Sequence, residues 1–301
     1  LIASEVDVVL LAEPPHFRPM HLKACIDAGK HVFAEKPVAV DSPGARSVLA
    51  SAEVAKKKGL SIVSGLMYRY DPAMRATIQR VRDGAIGEVV AIQETFMMGA
   101  ASGWRSGNPG QTEMERQLRN WYFYTWLSGD HNVEQHVHSL DKASWVLGDV
   151  PPVAAWGLGG RQVRVEPKFG NIYDHHAVVY EYESGARVYS FCRQQPGCYN
   201  SIADWVLGSR GQCNLMSHRI DGPTPWRYDG PKTNAYQIEH DALFAAIRNG
   251  TPINNGHYMA QSTLVGILGR MADYSGQRVT WEQAMQSELS LAPSRYAMDA
   301  E

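Results

Sequence analysis

Cysteine is scarce in this 301-residue chain: Cys25, Cys192, Cys198 and Cys213 are the only four, and no two stand in a Cys-x-x-Cys spacing. That spacing excludes the usual signatures of a zinc knuckle or redox pair and leaves reduced, mostly buried thiols as the expectation. No run approaches the roughly 20 apolar residues that a membrane span requires, so no membrane partner is expected. An excess of one charge is missing too, since 29 Lys and Arg face 31 Asp and Glu. Nucleic acids and anionic membranes attract concentrated basic surfaces, so neither is expected, and small molecules are the partners left. The dinucleotide fingerprint G-x-G-x-x-G occurs nowhere. Nor does the chain open on Met: it begins at Leu1 and enters an apolar run within a few residues. Native proteins seldom begin at the edge of a core strand, which implies upstream sequence. The expected location is cytoplasmic, or periplasmic if an export signal lies in that upstream stretch.

What is present has two textures. Hydrophobic residues make up 44% and charged ones 20%, enough for two cored domains at this length. Short apolar runs at 6–11, 31–34 and 60–64 alternate with helical stretches at 16–28, 42–58 and 72–83, the pattern of crossover units in a parallel sheet. From residue 89 the strands predicted at 89–97, 153–156, 177–182, 187–192 and 201–207 follow one another without a helix between each pair. Tyr182-Glu183-Ser184-Gly185 reads as a hairpin turn between two of them. The fold expected is α/β plus α+β: a partial Rossmann-like parallel sheet over 1–88, the C-terminal half of a dinucleotide-binding domain, then a mostly antiparallel-sheet substrate-binding and oligomerisation domain over 89–301. Helices are expected at 132–147, 237–249 and 258–275. Residues 98–111, rich in Gly, Ser and Ala, read as a loop that would serve as a lid. Gly157-Leu158-Gly159-Gly160 imitates a phosphate loop, but no helix follows it, so it too reads as a loop.

Two constellations offer chemistry. Glu35-Lys36-Pro37 directly follows a predicted strand, at the carboxyl end where open α/β sheets bind ligands. Pro37 biases Lys36 toward an extended backbone that aims its ammonium into the cleft. A surface lysine in a turn is the plainer alternative. The second constellation is Glu134-Gln135-His136-Val137-His138-Ser139-Leu140-Asp141. On a helix Glu134, His138 and Asp141 stand at i, i+4 and i+7 and share a face, with His131 one turn earlier. Flanking carboxylates would hold the His138 ring in one tautomer and keep it basic. On a strand, Glu134, His136 and His138 would instead point together as a zinc site does, but the helical period disfavours that, and no metal is predicted. A purely structural polar cluster is the remaining alternative.

These residues resemble the Gfo/Idh/MocA (glucose-fructose oxidoreductase and inositol dehydrogenase) family over nearly the whole chain. The resemblance rests on Asp7-Val8-Val9-Leu10-Leu11-Ala12-Glu13-Pro14-Pro15, on Ala28-Gly29-Lys30-His31-Val32 before Glu35-Lys36-Pro37, and on Gly84-Ala85-Ile86-Gly87-Glu88-Val89. The family's later motif places an Asp, a His and a second Asp where Glu134, His138 and Asp141 stand here, and a Gly where this chain has His136. The resemblance implies NAD or NADP as cofactor. It implies that Lys36 contacts the reacting hydroxyl and the nicotinamide edge, that His138 takes the hydroxyl proton, and that Glu134 and Asp141 orient His138. Ala12, Pro14, Pro15, Glu35 and Lys36 would line the cofactor, with Arg69 of Tyr68-Arg69-Tyr70 beside it. Trp121 and Trp126 would stack on a sugar or else fill the domain interface. Tyr173, Asp174, His175, Arg193 and His257 rank lower as substrate contacts, each better explained as structural.

The function expected is thus an NAD(P)-dependent oxidoreductase acting on a sugar, polyol or glycoside, pairing as a homo-oligomer through the outer face of its antiparallel sheet. One alternative is an NAD-dependent glycoside hydrolase (glycosidase) that oxidises its substrate only transiently. Another is an N-terminally truncated, non-catalytic sugar-binding homologue. Family members open with a glycine-rich half-domain that is not found among these residues, which predicts weak NAD binding and an exposed apolar sheet edge.

Overall fold

Three parallel strands stand side by side in a computed structural model that describes residues 2–101, 103–108 and 110–298: β1 (Val8–Leu11), β2 (His31–Ala34) and β3 (Ile62–Ser64). Parallel neighbours need long crossovers, supplied here by α1 (Arg18–Asp27) and α2 (Ser42–Lys58). Helix α2 starts where the Asp41 side chain accepts from Gly44 N and stops at Gly59, whose φ of +66° suits a residue without a Cβ. One face of the sheet buries Val9, Val32 and Ile62 with Leu22 and Ile26 of α1 and Val48 of α2.

The chain then runs through α3 (Pro72–Arg82), β4 (Val89–Met98), α4 (Glu113–Arg119), α5 (Thr125–Ser128), α6 (His131–Glu134) and α7 (Val137–Val146). Long strands follow as β5 (Ala154–Gly160), β6 (His175–Glu181), β7 (Arg187–Gln194) and β8 (Ser201–Gly208). Short ones come after them as β9 (Gln212–Asn214), β10 (Arg219–Asp221) and β11 (Trp226–Arg227). The last elements are α8 (Ala235–Arg248), α9 (Gly256–Ser275), β12 (Val279–Thr280) and α10 (Trp281–Gln286). Together β4 to β12 make one nine-stranded sheet in the order β11-β10-β9-β8-β4-β7-β6-β5-β12. Its β4–β7 pair is parallel and the other neighbours are antiparallel. The inner face packs Ile92, Val178, Tyr180 and Val188 against Leu140 of α7 and Val265 and Leu268 of α9.

Helices α8 and α9 return to the small sheet. Leu243 of α8 covers Phe33 and Val63 on one face, and Met259 and Ala260 of α9 join the core on the other. Asn255 clamps the junction: its Oδ1 accepts from Ser64 N at 3.1 Å and from the Tyr70 hydroxyl at 2.8 Å. The parallel-then-antiparallel architecture read from the sequence is the one observed. Among the described residues no helix is long and apolar enough to cross a membrane.

Three local expectations need correction. Gly157-Leu158-Gly159-Gly160 is not a loop but the second half of β5, paired with β6. Its glycines accommodate close backbone approach: a Cβ on Gly157 would lie 2.6 Å from the Ala177 carbonyl oxygen. The helix expected over 132–147 is two helices, because the N–H groups of both Gln135 and His136 bond the His131 carbonyl and end α6. The helix expected from residue 16 begins as a single 3-10 turn, Pro15–Phe17, before α1. Residues 98–111 contain no helix or strand beyond Met98 among those described; Ser102 and Pro109 lie outside the described residues.

Candidate active site

Because β1, β2 and β3 are parallel, their carboxyl ends Leu11, Ala34 and Ser64 share one edge, and the residues just beyond them border the cleft side at which open α/β sheets bind ligands. Glu35 and Lys36 follow β2 there, and the Lys36–Pro37 peptide bond is cis. The Glu35 carboxylate folds back to accept from Lys36 N at 3.1 Å. It lies against Gly65 just past β3, where a Cβ would come within 2.5 Å of Glu35 Oε2, so no larger residue fits without moving it. Ala12 is exposed at the end of β1, Pro14 is half-buried and Pro15 is buried.

Lys36 reaches across this edge. Its Nζ donates to Glu134 Oε1 at 2.8 Å and to the Glu134 carbonyl oxygen at 2.6 Å, joining the small sheet to the end of α6. The two side chains are 14% and 10% exposed, so the pair is shielded yet open to the cleft. His138, in the first turn of α7, is half-buried with its ring edge-on to Tyr68, centroids 5.8 Å apart. Its Nδ1 is buried without a partner. Burial, then the Lys36 and Lys142 ammonium groups, hold the imidazole well below its ordinary range.

The carboxylates expected to orient His138 are engaged elsewhere. Glu134 is committed to Lys36, and the break between α6 and α7 removes the i, i+4 register that would have aimed it at the imidazole. Asp141 lies inside the protein, accepting from Arg69 Nε at 3.0 Å, Arg69 Nη2 at 2.8 Å and Ser262 Oγ at 2.8 Å. The same guanidinium grips Asp149 at 2.6 and 3.1 Å and lies over the Tyr258 ring at 4.2 Å. Its donors thus committed to two carboxylates, Arg69 is a buried clamp rather than a cofactor contact. His136 also points inward, its Nε2 2.6 Å from Ser190 Oγ. Among the described residues no three His, Cys, Asp or Glu side chains are grouped to hold a metal ion.

Beside Glu134 opens a cavity of about 300 Å³, lined by Trp121, Tyr122, Gln135 and Gln194 and by the Met98–Ala101 chain. Gln194 Nε2 donates to the Tyr122 hydroxyl at 2.7 Å, and that hydroxyl lies 3.1 Å from His131 Nδ1. An aromatic wall with a few fixed polar groups is the composition of a small polar-ligand pocket. Tyr122, Gln135 and Gln194 did not stand out in the sequence. Gln194 had a visible sign, being a polar residue on the inward face of β7. Trp126, by contrast, does not line this cavity: its Nε1 donates to Gln117 and its ring packs edge-on to His16.

The lower-ranked candidates hold structure. Asp174 accepts from Gln162 N and Val163 N at 2.8 Å each and from Gln195 Nε2 at 2.9 Å, which fixes the loop after β5. His175 Nδ1 lies 2.8 Å from Asp174 Oδ1, the oxygen that Gln195 also uses. Tyr173 stacks on Tyr274 at 3.8 Å, Arg193 donates to the Tyr199 carbonyl, and His257 pairs with Glu53 at the surface.

A parallel sheet with a lysine at its carboxyl edge, facing a histidine-bearing helix that rests on a large open sheet, defines a class of two-part α/β protein, and comparison with known proteins identifies it. A profile described as "Oxidoreductase family, NAD-binding Rossmann fold" matches residues 1–63, and one described as "GFO/IDH/MocA C-terminal domain" matches residues 74–214. The chain belongs to the Gfo/Idh/MocA family. It is 26% identical over 266 residues to inositol 2-dehydrogenase of Rhizobium meliloti (strain 1021), covering 83% of this chain and 73% of that protein. It is also 26% identical over 189 residues to 2,7-anhydro-N-acetylneuraminate hydratase of Escherichia coli (strain K12), covering 62% of this chain but only 45% of the relative. Of the relatives matched, then, some are spanned for about half their length. In structure it resembles aldose-aldose oxidoreductase from Caulobacter crescentus complexed with glycerol, with a TM-score of 0.71, 23% identity, and 92% of this chain and 80% of that one covered. It likewise resembles levoglucosan dehydrogenase in complex with NADH and levoglucosan, with a TM-score of 0.72, 18% identity, and coverage of 94% and 82%.

Proposed function

We propose that this protein is an NAD(P)-dependent oxidoreductase acting on a sugar, polyol or glycoside, with Lys36 and His138 at the reacting hydroxyl. The observation that carries the reading is the placement of the Lys36 ammonium, held by Glu134 where the carboxyl edge of the parallel sheet meets the aromatic cavity. A nicotinamide, when bound, would supply the hydride acceptor. Ala12, Pro14, Pro15, Glu35 and Lys36 lie along the edge where its ring would be held. Lys36 donates to the substrate oxygen and stabilises alkoxide charge as it develops. His138, half-buried at the start of α7, accepts the hydroxyl proton while hydride leaves the carbon that bears that hydroxyl. Trp121 and Tyr122 offer ring faces to a sugar, and Gln135 and Gln194 offer polar groups to its hydroxyls.

Lys36→Ala and His138→Ala should abolish NADH formation on sugars and polyols while leaving the circular dichroism spectrum intact; near-normal rates in either variant would sink the assignment. Stoichiometric NAD or NADP binding, measured calorimetrically, separates this reading from a non-catalytic sugar-binding homologue. The similarity to a hydratase favours a second reading. Transient oxidation of a ring hydroxyl would acidify the neighbouring C–H and permit elimination of an aglycone, as in an NAD-dependent glycoside hydrolase. Release of aglycone without net NADH supports that version, and net NADH supports the first. The outer face of the large sheet exposes Trp156, Leu158, Tyr189, Phe191 and Ile202, and a second copy of the chain would cover it. Leu158→Lys should then lower the sedimentation coefficient.

A further inference from the structure

A second, smaller cavity adjoins the one beside Glu134. It measures about 180 Å³, and Ala100, Ala101 and Gln194 border both. Its own walls are Trp104, Phe123, Val163, Phe169 and Pro196. The Trp104 ring stands edge-on to Phe123 at 5.4 Å and to Phe169 at 5.5 Å, so three packed rings line the space. These walls are held from behind. The buried Asn120 side chain accepts from Arg105 N at 2.8 Å and donates to the Arg105 carbonyl at 3.1 Å, which fixes the chain just after Trp104. Phe169 closes the 3-10 turn Pro167–Phe169, and Gly170 then lies so near Phe123 that a Cβ would collide with the Phe123 carbonyl oxygen. That same carbonyl accepts from Asn171 N at 3.0 Å.

The polar side chains at this cavity are engaged elsewhere. Arg164, 7% exposed, donates through Nη1 to the Gln194 carbonyl at 3.2 Å and through Nη2 to the Tyr173 carbonyl at 2.9 Å, while Gln194 Nε2 serves the Tyr122 hydroxyl. A sugar seated here would lack partners for its hydroxyls, which makes the space costly for a second sugar ring. An apolar ring pays no such penalty. A cavity of about 150 Å³ with apolar walls accommodates benzene, so the volume suits one six-membered aromatic ring. The Arg164 guanidinium lies 5.8 Å from the centre of the Phe123 ring, and a further aromatic face would gain from the same charge. We propose that this cavity is the subsite for a single aromatic ring carried by the substrate, so that the protein takes an aryl glycoside in preference to a free sugar. The sugar occupies the cavity beside Glu134 and the aglycone ring lies among Trp104, Phe123 and Phe169. The placing of the sugar rests on the function proposed above; the aromatic subsite does not.

Phenol is the first probe, titrated into the full chain with its tryptophan indoles labelled for NMR and the Trp104 signal assigned by its loss in Trp104→Phe. Phenol should shift that signal saturably at about millimolar concentration, the range open to so small a ligand. Cyclohexanol, of similar size but without a π face, should bind about threefold or more weakly. Val163→Trp fills the cavity from a half-exposed position and should abolish the shift. Phe169→Ala removes one wall and should weaken phenol by about threefold or more, which decides the matter if Val163→Trp does not fold. A Trp104 signal that phenol leaves unmoved, equal binding of cyclohexanol, or unchanged phenol affinity in the folded variants overturns the proposal. The second measurement compares phenyl and methyl glycosides of whichever sugar is turned over. The phenyl compound should have a kcat/KM higher by about tenfold or more, the least that burying one ring should yield, and Val163→Trp should bring the ratio near one. Equal values in the wild type overturn the preference. Absence of turnover with every glycoside counts against the oxidoreductase reading instead, and the phenol titration still decides the subsite.

Discussion

Glu134 and Asp141 stand seven positions apart on either side of His138, and the fold puts them to opposite uses. Glu134 ends a broken helix and faces the cleft, where it holds one lysine from a different sheet. Asp141 sits in the continuous part of α7, 1% exposed, and accepts from Arg69 and Ser262 in the interior. Neither carboxylate hydrogen-bonds the histidine between them. One carboxylate positions a candidate catalytic group and the other ties helices together, and what separates them is the helix break at Gln135 and His136.

The largest effect should come from breaking the interior member. Asp141→Ala leaves the Arg69 guanidinium buried with Asp149 alone and removes the acceptor of Ser262 Oγ. Loss of one partner of a buried ion pair typically costs about 3–5 kcal/mol, and urea unfolding should show that loss. Glu134→Gln keeps the shape and leaves Lys36 its carbonyl acceptor, so the loss there should be nearer 1 kcal/mol. Equal losses would mean that the contrast between cleft and interior is wrong.

Turnover should rank the two the other way. In the proposed reaction, Glu134→Gln lets the Lys36 ammonium wander from the reacting oxygen, and misplacement of that kind costs roughly 10²-fold in kcat. Asp141→Asn, assayed in its folded fraction, should retain kcat within about threefold, since it touches no group in the cleft. If Asp141→Asn instead matches the Glu134 variant, Asp141 supports the site through α7.

A second interior cluster sharpens the same contrast through pH. His176 is enclosed by Asp130, 3.2 Å from its Nε2, and by Asp273 at its Nδ1. Burial opposes the imidazolium, but the two carboxylates push its pKa up from 6.5 to about 10. A raised pKa in the folded state favours the protonated form. The stabilisation is therefore full below 6.5, declines as pH rises through that value and is gone once pH passes about 10. Unfolding free energy should fall across that window, and His176→Gln should flatten the fall. His138 holds no comparable pair, so His138→Gln should leave the slope unchanged.

Much of this was legible in the chain and the rest was not, for reasons of range. The runs around Val32 and Val63 announce parallel strands because both faces of each are largely buried, the run around Val9 is apolar throughout although Leu10 is exposed, and Glu35-Lys36-Pro37 falls at a strand end by simple adjacency. The Gly157–Gly160 half of β5 was unreadable because glycine shows no alternation, and β9 to β12 hold only two or three residues each, too few for a period. The roles of Glu134 and Asp141 depend on partners 98 and 72 positions away, and no local spacing reveals those. The cavity likewise joins Tyr122 to Gln194 across 72 residues.

Another carboxylate pair divides along the same line. Glu35 is tied to the backbone N–H of Lys36 at the cleft, whereas Glu239 of α8 is fully buried and neither of its oxygens has a partner. Burial, then repulsion from Glu35, raises the Glu239 carboxyl from 4.5 to about 8. An acid with a raised folded-state pKa binds more protons folded than unfolded, so stability is lost as pH climbs from 4.5 through about 8. Glu239→Gln removes that titration. The variant should match the wild type near pH 5 and exceed it near pH 9, by up to about 1.4 kcal/mol for each unit that the carboxyl is raised, because the wild type must there bury an unpaired charge. Parallel stability curves for the two proteins would show that Glu239 finds a partner or water. The division between a tethered cleft acid and an uncompensated interior one would then fail at this pair.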